Sequence, residues 1–275
     1  MKKEERLCTA EKGWGWEGLD ATALKLIAVV LMLLDHIHQM FAADGAPMWL
    51  TMAGRPVFPI FLFAAAESFH YTHSKKQYLK RLLFASWFMT AFTFVLQRAV
   101  PNENVVLMNN AFSTFFVAGL YMQFWDLFME GIKRKAPWKV IRAVLYCFIP
   151  VLCAFPLYLI ALLSFNENVP AAVIRILATL SLLIPNLLSV EGGVAMAALG
   201  TSFYIFRRHR LMQIGVLLAL SAVTYAIGGG VQWMMCFAAV PMLLYNGKPG
   251  RGMKRFFYIF YPVHIGALYL LAALL

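Results

Sequence analysis

A chain of 275 residues that is 61% hydrophobic and 13% charged, with a mean hydropathy of +0.70, has more apolar surface than a soluble fold can hide; ordinary soluble domains are about 25% charged. The net charge of +11 does not point to nucleic acid, because the 24 basic residues gather in short hydrophilic breaks, where the positive-inside rule places them on the cytoplasmic side of a membrane. Continuous apolar runs exclude a transmembrane β-barrel, which needs short alternating strands.

In chain order, residues 1–18 form a charged lead whose Trp14 and Trp16 suit a membrane interface, and residues 19–275 read as a single transmembrane helical domain. Apolar segments at 22–43, 56–70, 79–100, 107–129, 140–163, 171–188, 192–206, 211–227, 231–245 and 256–275 predict an all-α, polytopic helical membrane protein with nine to ten transmembrane segments. A spanning helix needs roughly 20 residues, so segments of about 15 must be extended, broken or re-entrant. The breaks hold stop signals such as Pro101-Asn102, Asn168-Val169-Pro170 and Gly228-Gly229-Gly230. Lys25, Asp35 and His36 in the first apolar segment argue against a cleavable signal peptide. Cys8, Cys147, Cys153 and Cys236 have no CxxC spacing, so neither a disulfide framework nor a zinc ribbon is expected.

Loop charge sets the orientation. Lys75-Lys76 with Lys80-Arg81 and Lys133-Arg134-Lys135 with Lys139 and Arg142 both fall inside when the N-terminus is cytoplasmic. The Arg207-Arg208-His209-Arg210 break and the Lys248 to Arg255 break join them only if 171–206 counts as one crossing with a re-entrant piece. The chain is therefore expected in the cytoplasmic membrane, with nine and ten spans both open.

Ionisable groups at lipid depth are functional candidates because their burial is costly. Lys25 and Arg98 lie near helix ends and can snorkel, and Asp126 reads as interfacial. Asp35-His36 is different, since at 1.5 Å per residue Asp35 lies roughly 20 Å into its helix. A carboxylate can orient an imidazole, the side chain suited to moving protons near neutral pH. The bland alternative is a polar pair that glues helices together. Arg55 marks the opening of the second helix, where prolines are tolerated, and Glu67 and His70 share a face at i, i+3. Near the C-terminus, Pro262 removes a backbone donor beside His264, with Tyr258 and Tyr261 adding polar lining. Arg175 is suited to an anionic group, and Glu191 precedes Gly192-Gly193.

Four of the six histidines lie between 36 and 73, but depth spreads them across the bilayer, so no metal site is expected. No Walker A loop, dinucleotide fingerprint or GxSxG motif occurs, which argues against ATP-driven transport by this chain alone.

The residues Leu19-Asp20-Ala21 to Leu34-Asp35-His36-Ile37 resemble the opening of the TraX family. Gly54-Arg55-Pro56-Val57-Phe58-Pro59 through Glu67, Tyr78-Leu79-Lys80-Arg81, Leu244-Tyr245-Asn246-Gly247-Lys248-Pro249-Gly250 and Tyr258-Ile259-Phe260-Tyr261-Pro262-Val263-His264 follow in the family's order. The resemblance implies an acyltransferase-3-like helical bundle in the inner membrane and an acetyltransferase. The family's namesake N-acetylates a conjugative pilin with acetyl-coenzyme A as donor. Asp35, His36, Arg55, Glu67 and His264 match the family's pattern, which makes Asp35, His36, Glu67 and His264 the expected catalytic residues without fixing which histidine is the base; Arg55, with His70, Arg175, Tyr258 and Tyr261 singled out by their positions, is expected to bind substrate or acyl donor.

The expected reaction moves an acetyl group from cytoplasmic acetyl-coenzyme A to an amine or hydroxyl of a pilin-like peptide or other envelope molecule. His36, oriented by Asp35, serves as base or acyl carrier, while Arg55 and His264 position the acceptor or stabilise the oxyanion. The expected partners are membrane lipid and that acceptor, with no nucleic acid. The alternatives are a proton-coupled secondary transporter of a small solute and a non-catalytic membrane partner of a larger envelope complex.

Overall fold

A computed structural model describes residues 18–108, 110–166 and 169–274. Cys8, Trp14, Trp16 and the rest of the lead up to residue 17, together with Asn168, lie outside the described residues. The chain divides into two compact units, one made of Met1–Ala64 with Arg208–Leu275 and the other of Ala65–Arg207.

In the first unit, α1 (Ala21–Phe41) packs on α2 (Trp49–Gly54) and on α13 (Lys254–Leu274). Asp20 caps α1 by accepting from Thr22 N at 2.9 Å and Ala23 N at 2.7 Å, which satisfies two of the donors a helix start leaves open. The same end is tied to the 244–251 loop. Leu19 N donates to Leu244 O at 2.7 Å, Asn246 N to Leu19 O at 2.9 Å and Ala21 N to Lys248 O at 2.9 Å. Buried Leu24, Ala28, Met32, His36 and Met40 recur every four residues along α1, forming the stripe by which an amphipathic helix packs.

The unit is completed by α3 (Val57–Tyr71), which runs on into the second unit, α11 (Arg210–Ala226), a 3₁₀ helix (Gly230–Ala238) and α12 (Ala239–Leu243). The 3₁₀ stretch has nine residues, where runs beyond three or four are uncommon. It packs on α11 and α2 and buries Met235 and Ala238. Irregular backbone at membrane depth is tolerated only when protein or water covers it, and this packing supplies protein.

In the second unit, α5 (Ala111–Lys133) packs against α4 (Lys75–Ala99), α6 (Pro137–Cys147) and α10 (Gly193–Ile205). Leu79, Leu82, Ser86, Met89 and Thr93 form the buried stripe of α4. The apolar run expected at 140–163 is broken into α6, α7 (Ile149–Leu152) and α8 (Phe155–Ser164), with Pro150 and Pro156 in the first turns after the breaks. The helix α9 (Ala171–Ser181) packs on α8. Asn110 caps α5, and the Glu191 carboxylate accepts from Asn110 N at 2.9 Å, which gives that acid a role at a helix terminus.

The chain is a multi-pass helical membrane protein. Nine or ten spans are expected from hydropathy, and five described stretches are long and apolar enough to cross: Ala21–Phe41, Trp49–Tyr71, Lys75–Ala99, Pro137–Ser164 and Lys254–Leu274. The difference has physical causes. With 23 residues α5 has the length, but Gln123, Asp126 and Glu130 lower its apolarity. The 11 residues of α9 and the 13 of α10 rise only about 16 and 20 Å, against a hydrocarbon core of about 30 Å.

Candidate active site

His36 occupies a core position of α1 and meets α13 across the first unit. Its Nδ1 lies 2.6 Å from His264 Nε2, and the two residues are only 4% and 6% exposed. The ring centres are 4.8 Å apart and the planes 25° from parallel. That separation is no more than the nitrogen–nitrogen distance plus the two ring radii, so the rings meet edge to edge through a hydrogen bond. On its far side, His264 Nδ1 lies 2.7 Å from the carbonyl oxygen of Phe260, one turn back on α13. The Phe260 ring is 4.6 Å from the His264 ring and nearly parallel to it. Tyr261 places its ring 6.4 Å from His36 and 5.8 Å from His264. Tyr258, half-buried, lies one turn before Tyr261 on the same helix.

Asp35, about 100° away around α1, belongs to a second cluster. Its Oδ1 accepts from the Thr51 hydroxyl at 2.5 Å and from Arg55 Nη2 at 2.8 Å. Arg55 Nη2 also meets the Thr51 hydroxyl, Nε donates to Thr51 O at 3.2 Å, and Nη1 donates to Gln232 Oε1 at 3.1 Å. A planar guanidinium with a fixed fork of donors is suited to such a junction. Arg55 sits at the joint between α2 and α3, so it reaches α1 and the 3₁₀ helix from one position. Gly54 permits this, because a Cβ there would collide with the Asp35 side chain.

His36 Nδ1 faces His264, while Asp35 is held by Thr51 and Arg55. Both ring nitrogens of His264 have partners on the protein. Thr51, Gln232 and the Phe260 carbonyl were not legible as site members. Gln232 had a signal, being an amide at the start of the apolar segment 231–245.

The second unit holds the remaining expected residues. Glu67 and His70 lie one turn apart on α3, and the exposed His70 places its ring 4.9 Å from Tyr71 and 6.4 Å from Tyr204. Arg175 is on the exposed side of α9, where its Nε donates back to Ala171 O at 3.4 Å. A polar cluster missed by hydropathy also lies here. The Tyr204 hydroxyl donates to Asp126 at 2.8 Å, Lys75 Nζ donates to Tyr204 Oη at 3.1 Å, and Lys75 pairs with Asp126. Asp126 is thus a bonded helix–helix contact as well as a residue near a helix end. Among the described residues, no three His, Cys, Asp or Glu side chains are placed to hold a metal ion.

The profile described as TraX protein matches residues 20–165 and 127–272, which together span nearly the whole chain. The chain belongs to the TraX family. It is also similar to a probable fimbrial assembly protein FimC, serogroup H1, of Dichelobacter nodosus, with 26% identity over 261 residues covering 90% of this chain and 93% of the relative. No solved structure matches.

The residues that carry the TraX resemblance have structural reasons. Leu19-Asp20 and the 244–250 loop are the two sides of one backbone junction. Gly250 adopts φ +66°, and a Cβ there would collide with the Asp20 carboxylate. Gly54-Arg55 builds the Asp35 junction, and Phe260 with His264 builds the imidazole chain.

Proposed function

We propose that this TraX-family protein is an integral membrane acyltransferase that moves an acetyl group from cytoplasmic acetyl-coenzyme A to an amine or hydroxyl of a pilin-like peptide or other envelope molecule. The observation that carries this reading is the buried His36–His264 pair. Two imidazoles in a wall of helices give a membrane protein a means of taking up and returning a proton where water is scarce. The fimbrial assembly name of the Dichelobacter nodosus relative supports an acceptor in the cell envelope.

In this reaction the acceptor nitrogen or oxygen attacks the thioester carbonyl carbon. A carbon–nitrogen or carbon–oxygen bond forms, the carbon–sulfur bond breaks, and the proton lost by the acceptor passes to His36 and then to the coenzyme A thiolate. The basic breaks suit the donor's phosphates on the cytoplasmic side. Asp35 and Arg55 hold the wall of α1 that presents His36, and Tyr258 and Tyr261 line the α13 side.

The test is release of free coenzyme A and transfer of label from labelled acetyl-coenzyme A, using the purified full chain in lipid nanodiscs with envelope fractions as acceptor. His36→Ala should lower turnover by about 10²–10⁴-fold, the usual range for general acid–base catalysis. Full activity in that variant would remove His36 from the chemistry. A folded protein that neither binds nor turns over the donor would bring forward a proton-coupled transporter, which the broken helices of 137–164 also suit.

A further inference from the structure

Within that acyltransferase reading, we infer that His264 is a positioning residue that fixes the tautomer of His36, so that Nε2 of His36 is the atom that takes the acceptor's proton. The argument starts at the carbonyl of Phe260, which can only accept a hydrogen bond. His264 Nδ1, 2.7 Å away, therefore carries a proton and donates it. In the neutral imidazole the other nitrogen then holds a lone pair, so His264 Nε2 is an acceptor. His36 Nδ1, 2.6 Å from it, must be the donor. Hydrogen-bond direction thus runs from His36 to His264 to the α13 backbone, and it leaves the lone pair of His36 on Nε2.

The same chain handles the charge that follows. When His36 Nε2 accepts a proton, the imidazolium keeps its Nδ1–H against the His264 lone pair, and the Nδ1 proton can shift to His264 Nε2. The two rings together hold one added proton. It can travel no further, because a peptide carbonyl does not accept one as a base. The nearly parallel Phe260 ring, 4.6 Å from His264, holds the far imidazole in this line. Return of the proton from His36 Nε2 to the leaving thiolate restores both neutral rings, so the pair is unchanged over one turnover.

The test is ¹⁵N NMR of histidine-labelled full-length protein in nanodiscs, with His38, His70, His73 and His209 replaced by Gln so that only the buried pair reports. The expected spectrum at neutral pH shows both rings neutral and both protonated at Nδ1. A proton on Nε2 of either ring overturns the inference, whether or not the protein turns over. The second arm uses the otherwise unaltered chain carrying His264→Gln. It should lower kcat by about tenfold or more with KM retained, a smaller loss than His36→Gln, because the base remains while its tautomer is released. Loss of KM alone, or unchanged kinetics, would also overturn it. Expected tautomers in a chain that shows no acyl transfer would instead sink the acyltransferase reading and leave the hydrogen-bond assignment standing.

Discussion

Arg55 Nη2 stands 2.8 Å from Asp35 Oδ1, and the two side chains are 28% and 26% exposed. The pair joins α1 to the α2–α3 joint, and through Gln232 to the 3₁₀ helix. Removing one partner of a fully buried pair costs about 3–5 kcal/mol. Partial exposure lowers the expected cost of Arg55→Ala or Asp35→Ala to about 1–3 kcal/mol. The double variant should lose less than the sum of the two single losses. Unfolding in mixed micelles, run as a double-mutant cycle, measures the coupling, and strict additivity would mean the pair contributes nothing.

Arg55→Lys should behave much like Arg55→Ala. One ammonium cannot serve Asp35, the Thr51 carbonyl and Gln232 together in the manner of a planar fork. The check is thermal unfolding of both variants beside the parent. Parent-like stability in the lysine variant would show that charge alone is needed.

Gly54→Ala places a Cβ against the Asp35 side chain and should cost about 1–3 kcal/mol, as overpacking does. Gly215→Ala is the internal control. It lies within α11, where a Cβ meets nothing within 4 Å, so higher helix propensity should leave it neutral or stabilised by up to about 1 kcal/mol. Equal losses in the two variants would mean that helix approach is not what Gly54 provides.

Asp20→Ala should lower stability by about 1 kcal/mol, because α1 loses the acceptor for its Thr22 and Ala23 amides. Asp20→Asn keeps a capping oxygen and should recover most of that loss. Hydrogen exchange at the first turn of α1 distinguishes this from a general loosening, since only the capped amides should exchange faster.

Tyr204→Phe removes the hydroxyl between Lys75 and Asp126 in a side chain that is 1% exposed. Leaving buried polar partners short of a hydrogen bond costs about 1–3 kcal/mol. A parent-like melting temperature in this variant would show that the Lys75–Asp126 pair satisfies itself.

The sequence made some parts of this arrangement legible because they act through one local rule. Asp35-His36 stands out by depth in an apolar helix, Arg55 by its place before Pro56, and His264 by its place after Pro262. What was not legible is which group faces which. Asp35 and His36 are neighbours in the chain, yet a turn of about 100° sends them to different partners, Arg55 at 20 residues' distance and His264 at 228. Asp126 reads as interfacial and Lys75 as part of a basic break, and only the packing of three helices brings them together at Tyr204. Nine or ten spans are expected and five described stretches are long and apolar enough to cross, for a related reason. Hydropathy marks apolar windows, and a backbone break such as the stretch between Ser181 and Gly193 decides how long a helix each window yields.

The interval of 228 residues between His36 and His264 also has a meaning for biogenesis. Synthesis proceeds at about 5–20 residues per second, so His264 is made roughly 10–50 s after His36. Throughout that interval α1 must wait in the translocon or the lipid with its imidazole lacking the ring that will orient it. A ribosome stalled anywhere before α13 leaves an inserted chain without the pair.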